Sequence, residues 1–385
     1  MIVVIADDFT GAAEIGGLAF SFGYKAAVLT KLDHIPDVEI LIVATDMRSL
    51  NAKSAAGKSQ EVTAKLIKLK PEMIYKKIDS VLRGNVVVEL QSQMKISKKS
   101  RALIIPANPL LERRIRNGVY YIGDQPLMDS FFAQDKSFKN RSSNVVEILD
   151  KKAVHNICNK FYDDILPNSG LIIGNTENQD DLMEWVKKID VNTAVVGASG
   201  FFEEILRSKG SKKGNFNPNI KCNEIKSIFI SGSNFPLSKK SVVVAKNNGA
   251  SVSLMPDDIY FSLDDNSRFV DAWVEEIISM FDSSNKVVVA VLQNPSTNSI
   301  SSLAIKELLG VLIKRVMNKI EIDEIFIEGG STAQFIAKAL SFSTFYPIQA
   351  LSPGVTRMKI GEKEGVQLTL KPGSYGWPKT IWNFD

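Results

Sequence analysis

The stretch Met1-Ile2-Val3-Val4-Ile5-Ala6-Asp7-Asp8-Phe9-Thr10-Gly11-Ala12-Ala13-Glu14 decides how this chain is read. A short apolar run ends in two adjacent carboxylates, then Thr-Gly-Ala, then residues spaced as a helix. A strand that delivers acids to the mouth of a helix is how open α/β sheets build sites, because ligands bind beyond the carboxyl ends of parallel strands. Aspartate is also a favoured helix N-cap. Capping needs one carboxylate, and two adjacent ones leave one over, so both roles stay open.

The pattern continues outward. Ala12, Ile15, Leu18, Ala19 and Phe22 recur at helical spacing and predict a helix over 11–22, with Gly23 where it would stop. Apolar runs predict strands at 25–29, 39–45, 73–76 and 102–105, with helices at 53–69 and 85–94. Strands at 171–174 and 193–197 extend the series. Strands alternating with helices through short turns imply a parallel sheet.

Polar clusters follow the first, third and fourth of these strands: Asp7-Asp8, then Thr45-Asp46-Met47-Arg48-Ser49, then Lys77-Ile78-Asp79-Ser80-Val81-Leu82-Arg83-Gly84. In a parallel sheet all three lie at one edge. Asp7 and Asp8 faced by Arg48, Lys77 and Arg83 suit a small polar anion, the cations gripping its carboxylate and an acid meeting its hydroxyls. Ala55-Ala56-Gly57-Lys58-Ser59 contains the Gly-Lys-Ser of a phosphate loop, but Ala52 stands where that loop needs its first glycine. It also reads as helix, and is set aside. Residues 106–149 are irregular: Val119-Tyr120-Tyr121-Ile122-Gly123-Asp124 predicts a small hairpin, and the segment reads as a lid or binding loop.

Residues 208–223, rich in Lys, Gly, Asn and Ser, have the composition of a linker. Three regions follow from this: an N-terminal domain over 1–208, a linker over 209–224 and a C-terminal domain over 225–385. The second half restarts with a strand at 227–230 and continues with strands at 250–254, 286–292 and 324–327, between helices at 237–247, 267–282 and 301–318. Its turns Ser231-Gly232-Ser233 and Gly329-Gly330-Ser331-Thr332 each join a strand to a helix. Such turns bring backbone N–H groups and a helix dipole to phosphate oxygens. Leu370-Lys371-Pro372-Gly373-Ser374-Tyr375-Gly376 is a third flexible segment, placed to close over a nucleotide.

Composition narrows the classes. A chain of 385 residues with 44% hydrophobic and 23% charged residues suits two soluble domains, each with its own core. The net charge of +4 is small and its basic runs are scattered, which disfavours nucleic acid. Cys158 and Cys222 stand apart without metal-ligand spacing and read as buried thiols in a reducing compartment. His34 and His155 have no plausible nucleophile nearby. No apolar run reaches membrane-spanning length and Met1 begins a strand, so the expected location is the cytoplasm.

Six stretches together resemble the four-carbon acid sugar kinase family: Ala-Asp-Asp-Phe-Thr-Gly-Ala at the start, Lys-Ile-Asp-Ser-Val-Leu-Arg-Gly, Val-Tyr-Tyr-Ile-Gly-Asp-Gln-Pro-Leu, Ser-Gly-Ser, Gly-Gly-Ser-Thr-Ala and Leu-Lys-Pro-Gly-Ser-Tyr-Gly. They occur in the family's order and span nearly the whole chain. The resemblance implies an α/β protein of two domains, each a largely parallel sheet flanked by helices, with a cleft between them. It implies ATP-dependent phosphorylation of a hydroxyl of threonate, erythronate or an oxo-tetronate, with ATP and Mg2+ as cofactors. By position, Asp8, Arg48 and the segment Asp79, Ser80, Val81, Leu82, Arg83 would hold the sugar acid, while Ser233, the turn Gly329 to Thr332 and Gly373 would contact ATP. Val81 replaces the family's Thr, Ser331 its Glu, Ser238 and Ser241 its Thr and Gln, and Asn108 a frequent aromatic. The chain is also somewhat short for the family.

Asp8 is the candidate base, with Asp7 the alternative, because a carboxylate beside cations can accept the hydroxyl proton as the new bond forms. Magnesium would arrive with ATP, held mainly by phosphates, and the two domains would close around the reactants. The expected ligands are a small-molecule sugar acid and ATP, with no nucleic acid and no membrane; the oligomeric state is open between a monomer and a homo-oligomer. A sugar-acid-binding regulatory or transport-type protein without kinase activity is the alternative class. An NAD-dependent dehydrogenase ranks below it, because no Gly-x-Gly-x-x-Gly follows either leading strand.

Overall fold

The computed structural model describes residues 1–134, 141–150, 156–210, 225–232, 235–261, 267–293 and 300–384. Ser233, His155, Cys222 and linker residues 211–224 lie outside them. The chain forms two compact units, Met1–Ala26 with Ile35–Gly214, and Ala27–His34 with Asn215–Asp385.

The first unit opens with β1 (Ile2–Ala6) and α1 (Phe9–Ser21). Every residue of β1 is buried, as a strand must be when helices cover both faces of a parallel sheet. Strand β2 (Ala26–Leu29) begins at the end of this segment and pairs antiparallel with a strand of the second unit described below. The first unit resumes with β3 (Ile40–Ala44), α2 (Ala52–Ile67), β4 (Met73–Lys77), α3 (Val86–Ser97) and β5 (Arg101–Ile105). Asn51 caps α2 by accepting from the Ser54 N–H at 2.9 Å.

The irregular segment yields more than a hairpin. Strands β6 (Arg113–Arg116), β7 (Val119–Ile122) and β8 (Gln125–Pro126) form a separate three-stranded antiparallel sheet. Then come α4 (Val145–Asp150), β9 (Ile157–Lys160), β10 (Gly170–Gly174), α5 (Gln179–Lys187), β11 (Thr193–Gly197) and α6 (Ser199–Lys209). Cys158, on β9, is a half-buried free thiol. The parallel sheet runs β3-β1-β4-β11-β5-β10-β9. Its first strand therefore sits where the strand order reverses, the place at which open α/β sheets bind ligands.

The second unit holds β12 (Ser227–Ser231), α7 (Pro236–Asn247), β13 (Ser251–Leu254), α8 (Asp257–Phe261), α9 (Ser267–Met280), β14 (Lys286–Ala290), α10 (Ser302–Lys319), β15 (Glu324–Glu328) and α11 (Gly330–Ala339). Three strands follow, β16 (Thr344–Ser352), β17 (Val355–Ile360) and β18 (Gln367–Lys371). Strands β13, β14, β12, β15 and β18 are parallel; β17, β16 and β2 continue the sheet antiparallel. This meander has no counterpart among the expected strands, and β2, expected in the first domain, belongs with the second unit from Ala27 onward. Strand β16 alternates buried and half-buried residues, carries Pro347 and shifts register twice against β17, so its apolar pattern is broken.

Within the first unit the alternation of β4 sends its two lysines to opposite faces of the sheet. Lys77 reaches Glu14 of α1 at 3.4 Å. Lys76, fully buried, meets Glu89 of α3 at 2.5 Å. A buried ion pair adds little over an apolar pair of the same shape, but removing one partner strands a charge at a cost of about 3–5 kcal/mol. Lys76→Met should lower the stability of the first unit by about that amount, and adding Glu89→Leu should restore most of it, as read by urea unfolding.

Candidate functional site

In the first unit, Ala6 of β1 lies level with Ala44 of β3 and Lys77 of β4. The three polar clusters thus emerge side by side at one edge, as the sequence reading requires. Backbone bonds lock them: the Asp7 N–H donates to Lys77 O at 3.3 Å, the Arg48 N–H to Asp7 O at 3.2 Å, and the Thr45 hydroxyl to Ala6 O at 2.6 Å. Asp46, at φ 54°, turns the chain so that Arg48 faces back across β1.

Arg48 is the hub. Its Nε and Nη2 each donate to one oxygen of Asp7, both at 2.8 Å, and its Nη1 donates to Asp8 Oδ2 at 2.9 Å. The same Nη1 is 3.6 Å from Asp79 Oδ1. Asp79 in turn accepts Nε and Nη2 of Arg83 at 2.7 Å each. Arg48 and Arg83, expected to grip a ligand's carboxylate, are thus held by the chain's own carboxylates. Lys77 is held by Glu14 and by Ile78 O at 3.2 Å.

Asp8 combines the two roles weighed for the opening acids. Its Oδ1 caps α1 by accepting the Gly11 N–H at 2.8 Å, and its Oδ2 accepts the Thr10 hydroxyl at 2.7 Å. A Cβ at Gly11 would lie 2.8 Å from Asp8 Oδ1 and 3.1 Å from Lys77 Nζ, so this position needs glycine. Burial would push the Asp8 carboxyl up, but Arg48, Lys77 and the bonds from Thr10 and Gly11 outweigh it and hold it below its ordinary value. Asp79 is depressed further, burial being overcome by Arg83 and Arg48. Asp7 moves the other way: burial raises it despite Arg48, with Asp8 and Glu89 adding to the rise. The Asp8 side chain keeps 13% of its surface exposed and that of Asp7 only 3%, so Asp8 is the one a ligand can reach.

Ser80 lies half-buried in the same loop and accepts a hydrogen bond from Arg113. Val81 and Leu82 differ from the expectation for substrate-binding residues. Both are buried and belong to one apolar core cluster with Tyr120, Leu127 and Phe132. The apolar Val81 is suited to that place, and only the backbone of these two residues is left to meet a ligand. Asn108 is buried against Gly200 and donates to the Ser199 hydroxyl at 3.2 Å.

The second unit repeats the arrangement with different chemistry. Ser231 of β12, Glu328 of β15 and Lys371 of β18 are level across three parallel strands. The two glycine turns and Gly373 therefore share an edge. Gly329 adopts φ 95°, open to glycine and strained for other residues, and α11 starts at once with no side chain capping it. Its first intrahelical bond is Ala333 N–H to Gly329 O at 3.1 Å, which leaves the N–H groups of Gly330, Ser331 and Thr332 at the helix mouth. A Cβ at Gly232 would come within 3.1 Å of Thr332 Oγ1, so the two turns pack closely. Ser331 is half-buried, and Thr332 is buried.

Two residues here, Glu328 and Lys371, received no role from the sequence. Glu328 is buried and meets Lys371 at 3.1 Å; Ser231 and Ser238 both donate to it. Lys371 also donates to Tyr375 O at 2.7 Å, and Ser238 Oγ lies 3.2 Å from Gly373 O. Burial lowers the Lys371 ammonium, against the pull of Glu328. The available signal was position, since Glu328 and Lys371 each end a strand directly before a glycine-bearing turn. Among the described residues no group of three or more His, Cys, Asp or Glu is arranged to hold a metal ion, and no helix is long and apolar enough to cross a membrane.

Comparison with known proteins finds a family match for each half of the chain. Residues 2–205 match a sugar-binding N-terminal domain family, and residues 228–381 a nucleotide-binding C-terminal domain family. The chain is 29% identical to the D-threonate kinase of Salmonella typhimurium over 43% of its own length and 40% of that protein's. It is 28% identical to the D-erythronate kinase of Heliobacterium modesticaldum over 40% of its own length and 37% of that protein's. The chain thus spans about two fifths of each of these two relatives. Similarity to the 3-oxo-tetronate kinase of Actinobacillus succinogenes runs further, at 22% identity over 98% of this chain and 97% of that one. A solved structure of a Haemophilus influenzae protein shares the fold, with a TM-score of 0.72 and 19% identity over 99% of this chain and 98% of that one. Matches of this kind to both halves make the chain a member of the four-carbon acid sugar kinase family.

Proposed function

We propose that the protein transfers the γ-phosphoryl group of ATP to a hydroxyl of a four-carbon sugar acid. The observation that carries this reading is the pairing, in one chain, of a sugar-binding and a nucleotide-binding domain match, each falling on a sheet edge of fitting chemistry. Relatives named for threonate, erythronate and 3-oxo-tetronate support the substrate class.

In this reading the sugar acid meets the edge formed by Asp8, Arg48, Lys77 and the segment Asp79 to Arg83. Asp8 orients the reacting hydroxyl and takes its proton as the oxygen–phosphorus bond forms and the bond from phosphorus to the ADP oxygen breaks. Asp7 holds Arg48 in place behind it. The β- and γ-phosphates rest at the mouth of α11, on the N–H groups of Gly330, Ser331 and Thr332, with Ser231, Gly232 and Gly373 alongside. Magnesium, carried in on the phosphates, would neutralise charge as the phosphoryl group moves. Lys371 keeps the Glu328 carboxylate neutralised beneath that turn, so that it does not repel the triphosphate.

An ADP-release screen over the stereoisomers of threonate, erythronate and oxo-tetronate tests the assignment, and silence across the panel would overturn it. Asp8→Asn should reduce kcat by about a hundredfold or more while sugar-acid binding stays measurable by calorimetry. Because its cations hold Asp8 ionised, its titration should impose no acid limb on kcat above about pH 5 in a buffered rate profile. Gly329→Val, strained at φ 95°, should raise the KM for ATP about tenfold or more and leave sugar-acid affinity unchanged in titrations without nucleotide.

A further inference from the structure

Arg113, which starts β6, received no role from the sequence beyond a basic run. The structure brings it to the edge described above. Its backbone is fixed on both sides of Asn108: Asn108 N–H donates to Arg113 O at 2.9 Å, and Arg113 N–H to Asn108 O at 3.1 Å. Two residues on, Ile115 exchanges backbone bonds with Thr176 at 2.9 Å each. The small sheet is therefore held at a fixed height over the loop after β4. From there the Arg113 guanidinium donates to the hydroxyl of Ser80, the residue between Asp79 and the buried Val81.

One aromatic ring serves two cations at this point. The buried ring of Phe132 has the Arg83 guanidinium carbon 5.8 Å from its centroid and that of Arg113 6.0 Å away. Such a ring steadies a guanidinium and keeps water from part of it, which strengthens its pull on an anion. Charge leads the same way. Among the described residues this edge gathers the carboxylates Asp7, Asp8, Glu14, Asp46 and Asp79 with the cations Arg48, Lys77 and Arg83. An anionic substrate would meet net repulsion there, and Arg113 is the fourth cation.

We propose that Arg113 is a specificity-determining residue of this edge: beside Ser80 it receives the substrate's carboxylate and selects acids over uncharged polyols of the same length. The inference rests on the kinase reading for the identity of the acid. A planar guanidinium fork matches a carboxylate in two parallel bonds, which a point-charge lysine does not.

The test uses the full chain as wild type, Arg113→Gln and Arg113→Lys. Each is titrated calorimetrically without nucleotide against the four-carbon sugar acids and the corresponding tetritols, then assayed for ADP release. The expected result is a loss of about tenfold or more in acid affinity for Arg113→Gln, with tetritol affinity and the KM for ATP unchanged and an intermediate acid affinity for Arg113→Lys. If Arg113→Gln does not fold, the Lys variant decides: weaker acid binding with unchanged tetritol binding supports the assignment, and wild-type acid affinity overturns it. Acid and tetritol weakened alike would mark Arg113 as a brace for the small sheet and overturn the proposal. So would equal acid affinity in wild type and Arg113→Gln, or no acid binding by the wild type. Failure of the kinase reading shows separately, as no ADP release by the wild type with any acid that it binds.

Discussion

The edge of the first unit depends on one guanidinium. Arg48 bonds both oxygens of Asp7 and one of Asp8, and approaches Asp79, so it ties together the segments that follow β1, β3 and β4. Without it three buried or nearly buried carboxylates would face one another at the point where the strand order reverses, and mutual repulsion would drive protons onto them. With it, Asp8 and Asp79 stay ionised. The cost of burying these charges is recovered through bidentate geometry rather than through any single contact. Gly84, at φ 95° and with a position for Cβ only 3.1 Å from Arg48 Cγ, is the backbone's concession to this packing.

The second unit solves a related problem with the sign reversed. In the proposed function the α11 mouth meets phosphates, which calls for positive potential and backbone donors, yet a carboxylate, Glu328, ends the strand beneath it. Lys371 on the neighbouring strand pairs with that carboxylate, and two serine hydroxyls donate to it. Ser238 links the same carboxylate to the Gly373 carbonyl, so that it joins α7, β15 and the segment after β18. Both edges thus use internal ion pairs to set the potential that a ligand would feel.

Much of this was legible in the sequence, for identifiable reasons. The buried strands of the parallel sheets are continuous apolar runs, so β1, β3, β12 and β15 fall within a residue or two of expectation. The convergence of Asp7, Asp8, Arg48, Lys77 and Asp79 at one edge follows from strand polarity alone. What the sequence does not carry is the partner of each charge. Lys76 and Lys77 look alike as letters, and only the pleat sends one to Glu89 and the other to Glu14. Arg113 sits in one of the scattered basic runs, and only the small sheet lays it on Ser80. Val81 and Leu82 lie inside a polar motif, and tertiary packing claims them for the core. The meander of β16 and β17 is half-exposed and interrupted, so it has neither of the periodicities that a sequence reading relies on.

The placement of β2 bears on how the chain can fold during synthesis. Residues Ala27–His34 belong with the second unit, and Phe345 of β16 pairs with Val28 across more than three hundred residues. A ribosome delivers the whole first unit long before β16 exists. Until then this short apolar strand has lost the neighbour that it will have in the native fold, and is open to pairing with another chain. The second unit, for its part, cannot close its antiparallel border from its own contiguous sequence. A chain cut at the linker would leave β16 as an edge, and adding the N-terminal segment in trans is the way to complete it.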